Sequence, residues 1–101
     1  QKIEEKKYTK WFDYDKIKNS PCVRTRRQGD FLVVNREGDR KKLNRIFIDE
    51  KIPAGLRDQI PVVAAGSEIL WIPGGRMNEQ YKITSTTGRV LELHYQGGAL
   101  A

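Results

Sequence analysis

With one cysteine in 101 residues, Cys22, the chain cannot hold an internal disulfide, which fits a reducing compartment. One histidine, His94, leaves hardly any material for a metal centre or for a Ser/His or Cys/His catalytic pair. His94 is expected on the outside of a strand, and Cys22, beside Val23, is expected to pack rather than react. No run approaches the roughly 18 apolar residues of a membrane span and no basic-then-apolar leader opens the chain, so a soluble, cytoplasmic location is expected. Gly74-Gly75-Arg76 lacks the spacing of a phosphate loop and reads as a turn. Internal repeats and low-complexity tracts are absent. The acidic pairs add little: Asp13 and Asp15 could share a strand face, and Asp49 follows Arg45 at the spacing of a helical ion pair. No catalytic residue, cofactor site or metal ligand is assigned, and an independent enzyme is disfavoured.

What the chain has in quantity is positive charge. Nineteen Lys and Arg against thirteen Asp and Glu leave +6, with a pI near 9.6, a balance that suits a polyanionic partner. The stretch from Arg24 to Arg45, RTRRQGDFLVVNREGDRKKLNR, holds eight of those cations and only Asp30, Glu37 and Asp39 as acids, a net +5. The rest is almost neutral. Two cation clusters bracket the apolar run Phe31 to Val34; if that run is a strand, they come together on one basic face. A hydrophobic content of 38% supports one modest core and one domain. Residues 1–7, QKIEEKK, read as a linker from an upstream domain, 8–96 as the domain itself and 97–101 as a flexible tail. The chain is expected to be a fragment of a larger protein.

Along the chain, Tyr8 to Ile17 reads as a strand or extended segment, Ser20-Pro21 as a turn, and Cys22 to Arg27 as a strand with Val23 and Thr25 inward and Arg24 and Arg26 outward. Phe31 to Val34 is a second strand between turns at Gly29-Asp30 and Glu37-Gly38-Asp39. From Arg40 to Glu50 the spacing of Leu43, Ile46 and Phe47 predicts a helix capped by Asp39, with Arg40, Lys41 and Lys42 in its first turn. Cations there oppose the helix dipole, and a bound phosphate would reverse the sign of that cost. A solvated basic turn is the plainer alternative. A short helix follows Pro53 and ends before Pro61; Val62 to Ala65 and Glu68 to Ile72 form a hairpin around Gly66-Ser67. A second hairpin is expected from Tyr81 to Thr84 and Arg89 to Tyr95, with Leu91, Leu93 and Tyr95 on one side and Val90, Glu92 and His94 on the other. The class is α+β: mainly antiparallel strands with two short helices on one side.

Arginine's forked, permanent charge bridges phosphate oxygens, and few aromatics interleave the basic stretch, so duplex or backbone recognition fits it better than single-strand reading. The competing class is a structural or interaction module that packs against other domains or a dimer mate and carries its charge for solubility.

The ordered motifs YTKWFDYDKI, VRTRRQGDF, KKLNRIFIDEKIPAGLRDQIPVV and ILWIPGGRMNEQYKIT, across residues 8–84, resemble the C-terminal substrate-binding domain of bacterial tRNA(Ile)-lysidine synthetase. The resemblance implies an α/β sandwich like one in the phenylalanyl-tRNA synthetase β-subunit. It also implies a parent enzyme that uses ATP and lysine, in an N-terminal domain with an SGGxDS-type loop, to convert the wobble cytidine of an isoleucine tRNA to lysidine. That loop is missing here, so the chain itself is expected to be non-catalytic, with no cofactor of its own. The expected partners are the acceptor stem of isoleucine tRNA, the parent's other domains and a possible homodimer mate. Carried over by motif, Arg24, Arg26, Arg27, Lys41 and Lys42 become the leading tRNA contacts, with Arg40, Arg45 and Arg76 beside them.

Overall fold

The computed structural model describes residues 8–96, so the expected linker and tail lie outside the described residues. Among the described residues seven strands are formed: β1 (Thr9–Asp13), β2 (Cys22–Arg24), β3 (Phe31–Val33), β4 (Arg40–Lys42), β5 (Val62–Ala65), β6 (Glu68–Trp71) and β7 (Val90–His94). One α-helix, α1 (Leu43–Asp49), follows β4, and a 3-10 helix spans Ala54–Gln59. This is the expected α+β domain of mainly antiparallel strands and two short helices.

Strands β2-β5-β6-β3-β4 make a five-stranded sheet in that order, and β1 and β7 make a separate two-stranded ribbon. All pairings are antiparallel except that of β3 with β6. Strand β5 is buried along its whole length, and its alternation divides two cores. Val62 and Ala64 join Leu32, Leu43, Ile46, Phe47, Ile60 and Ile69 on the helix side. Val63 and Ala65 join Phe12, Leu70, Trp71 and Tyr81 on the side that the ribbon covers. The Phe12 and Trp71 rings meet there at 6.0 Å between centroids, tilted by 57°. Neighbours Val63 and Ala64 face Trp71 and Ile69, so β6 carries one extra residue, Leu70, as a bulge. Leu70 and Trp71 therefore enter the same core.

The hairpin at Gly66-Ser67 forms as expected, with Gly66 at φ 67°. The stripe of Leu43, Ile46 and Phe47 is buried as expected. The second hairpin is corrected. Strand β7 pairs with β1, from Thr9↔His94 to Asp13↔Val90, and not with residues 81–84. Asn78 instead caps a 3-10 turn at Glu79–Tyr81, accepting from the Gln80 amide at 2.9 Å. Thr84 and Thr87 then close their own turn, the Thr84 amide donating to Thr87 Oγ1 at 2.8 Å. The two sides of β7 are as expected, with Leu91 and Leu93 against the core and Val90, Glu92 and His94 exposed.

A second correction concerns the start of the helix. Arg40, Lys41 and Lys42 lie on β4, paired with Val33, Leu32 and Phe31, so α1 begins only at Leu43 and Asp39 does not cap it. The molecule therefore offers no cation-rich helix start to a phosphate among the described residues.

Candidate nucleic-acid interface

The cations of the Arg24–Arg45 stretch fall into distinct environments. Arg24 points inward and Val23 outward, the reverse of the expected alternation: the Arg24 side chain is 10% exposed, whereas Val23 is 58% exposed. Its guanidinium donates to both Asp30 carboxylate oxygens at 2.8 and 2.9 Å and to the Gly66 carbonyl at 2.8 Å. This ion pair holds the Arg24 charge even more firmly protonated than usual, mainly through the hydrogen bond to Asp30. Asp30, buried at 3%, also accepts from the Arg27 amide at 2.7 Å, and its carbonyl accepts from the Leu43 amide at 2.9 Å. The motif RxRxxGD is thus a folding device: Arg24 and Asp30 clamp the loop, Gly29 at φ 92° turns it, and Asp30 receives the first amide of α1. Cys22, expected to pack, is exposed on the outer strand β2.

Arg26, Lys41, Arg45 and Arg76 are matched with carboxylates on or near the helix side. Arg26 bonds to Asp58 and, at 2.7 Å, to Asn44. Lys41 and Arg45 share Asp49, whose carboxyl is held below its ordinary range, chiefly by the hydrogen bond from Lys41. The expected Arg45–Asp49 pair is present, and Arg76 sits 4.0 Å from Glu50. Asp13 and Asp15 do not form a joint site: Asp13 accepts from the Asp15 amide and from Thr87, and Asp15 pairs with Arg89.

A third group has no carboxylate partner among the described residues. Arg27 lies within the clamped loop, Lys42 lies opposite Phe31, and Arg40 lies 4.5 Å over the Phe31 ring. Arg40 and Lys42 sit on β4, an edge of the five-stranded sheet, on the side opposite Lys41. Arg36, in the turn between β3 and β4, is likewise unpartnered among the described residues. These four cations surround β3, and the sheet rather than a helix start holds them. Cation clusters at both ends of Phe31–Val34 were legible in the sequence; their division by partner was not, because Asp49 and Asp58 lie outside the basic stretch.

The other quoted motifs also have structural roles. In WIPGGR, Trp71 is buried, Gly74 adopts φ 84° against the Tyr8 ring, and the Gly75 amide closes the turn onto the Ile72 carbonyl at 2.7 Å. In IDEKIP, Lys51 takes φ 61° and ends α1, with Lys51 and Ile52 amides donating to the Ile48 and Phe47 carbonyls, both at 2.9 Å.

By architecture and charge, the chain is a small basic α+β domain of mainly antiparallel strands. A solved structure, the crystal structure of a TilS C-terminal domain, superposes on it with a TM-score of 0.75 at 32% identity, covering 100% of this chain and 77% of that one. The family model described as the TilS substrate C-terminal domain matches residues 22–93, and the chain belongs to that family. It is 49% identical over 89 residues to the tRNA(Ile)-lysidine synthase of Caldanaerobacter subterraneus subsp. tengcongensis, covering 87% of this chain and 19% of that protein. To the same enzyme of Clostridium tetani it is 41% identical over 91 residues, covering 89% and 19%. The chain therefore spans about a fifth of the length of these relatives.

Proposed function

We propose that this chain is the tRNA-gripping domain of a tRNA(Ile)-lysidine synthase and performs no catalysis itself. It would hold the acceptor stem of an isoleucine tRNA while an ATP-dependent domain elsewhere in the protein converts the wobble cytidine to lysidine. The observation that carries the reading is the family match across residues 22–93, which contains the cations around β3 that lack carboxylate partners. Such cations release counterions when they meet phosphate without first breaking an internal ion pair. Arg27, Arg40 and Lys42 are the leading contacts. Arg26, Lys41, Arg45 and Arg76 would contribute by exchanging carboxylate for phosphate, and Arg24 would act by positioning Arg27.

Fluorescence anisotropy of the chain with an isoleucine acceptor-stem duplex and a scrambled duplex, each across a salt series, tests this reading. Affinity should fall steeply with salt and favour the cognate stem; no binding at low salt would refute it. A second reading, packing against other domains of the parent, is favoured by exposed Val23 on outer strand β2, beside an apolar cleft of about 130 Å³ lined by Trp71, Leu93 and Tyr95. It predicts that neutralising the β3 cations leaves RNA affinity unchanged, whereas Val23→Asp impairs assembly.

A further inference from the structure

On the sheet face away from α1, the β3–β4 turn, the short 3-10 helix Tyr14–Lys16 after β1 and residues 79–84 form a cleft of about 700 Å³. Three cations line it, each from a different segment: Lys16, Arg36 and Lys82. Among the described residues the only carboxylate in its lining is Glu79, already engaged by Lys82 at 2.7 Å. Lys16 and Arg36 have no partner among the described residues. Beside the charges lie buried Val33, Ile83 at 45% exposure, and the amide side chain of Gln80.

That combination differs from the exposed row on β4. An edge row of cations can follow a duplex backbone, whereas a cleft that sets Val33 and Ile83 among charged and amide side chains has room for a single base rather than for stacked, paired ones. Its size lies within the range of small-ligand sites. An unpaired nucleotide supplies each complement: a phosphate for Lys16 and Arg36, an apolar ring face for Ile83 and Val33, and base edges for Gln80.

We propose that this cleft takes an unpaired nucleotide of the RNA whose stem is held along β4. The proposal rests on the tRNA-gripping reading and adds a single-stranded contact to it. The test compares a blunt stem with the same stem bearing a four-nucleotide 3′ overhang, or a 5′ overhang, by anisotropy with this chain. One overhang form should bind about five- to tenfold tighter than the blunt stem, the scale of one phosphate contact with one apolar contact. Lys16→Ala, outside the group of cations around β3, should markedly reduce that preference while leaving blunt-stem affinity within about twofold. Ile83→Ala should reduce the preference without changing its salt slope, since it removes no charge. Equal affinity of the wild-type chain for blunt and overhang stems would overturn the cleft proposal alone. Failure to bind any stem would overturn both it and the tRNA-gripping reading. Addition of inorganic phosphate at millimolar concentration should not erase the preference; if it does, the cleft is a simple anion site and the proposal fails.

Discussion

Removing the Asp30 carboxylate would leave the Arg24 guanidinium largely buried without its counter-charge and the Arg27 amide without its acceptor. Losing one partner of a buried pair costs about 3–5 kcal/mol, far more than losing an exposed pair. Asp30→Ala should therefore lower the urea midpoint severely, whereas Asp58→Ala, which breaks the exposed end of the Arg26 pair, should move it little. At Lys51 the sign reverses. Its φ of 61° favours glycine, and Lys51→Gly should stabilise the domain by about 0.5–1 kcal/mol in the same measurement. The sequence marked Asp30 only as part of a turn. Its larger role depends on Arg24 pointing inward, which an alternating strand pattern assigns to the wrong face when the apolar residue, Val23, lies on an exposed edge.

The elements that were legible are those whose partners are close in sequence. Strands β5 and β6 join through Gly66-Ser67, and α1 shows its buried stripe within five residues. Strand β4 reads as a helix start, and β7, legible as a strand, is given the wrong partner, because distant pairing decides both: Arg40 to Lys42 are compatible with a helix until β3 pairs with them, and β7 finds β1 some 85 residues away. The segment 78–81 is held by a polar network instead of a ladder. Tyr81 donates to Glu68 at 2.7 Å, and Asn78 donates to Glu68 and to the Ile69 carbonyl. Burial, with the hydrogen bond to Glu68, pushes the Tyr81 phenol well above its ordinary value. A raised folded-state value means that this stabilisation is present below the unfolded phenol's pKa, about 10, and is lost as pH rises above it. Stability measured from pH 8 to 11 should fall less steeply in Tyr81→Phe than in wild type. Asp49 has the opposite sign: its depressed value stabilises α1 above pH ~4 and is lost as pH falls below. Asp49→Asn should remove that acid-side slope.

For the whole molecule, what decides RNA binding is which cations are free to meet phosphate. Charge density alone would treat the Arg24–Arg45 stretch as uniform, but the fold buries one arginine against Asp30, matches other cations with Asp49 and Asp58, and leaves Arg40 and Lys42 on the β4 edge without a carboxylate among the described residues. The most direct test compares two triple-alanine variants in the salt dependence of acceptor-stem binding: Arg27, Arg40 and Lys42 in one, and Arg26, Lys41 and Arg45 in the other. Each removes three positive charges, so a general electrostatic effect would treat them alike. If the β4 edge holds the stem, the first variant should lower the slope of log affinity against log salt by about 2–3, and the second by less than about 1. Equal slopes in the two variants, or a larger change in the second, would contradict the account.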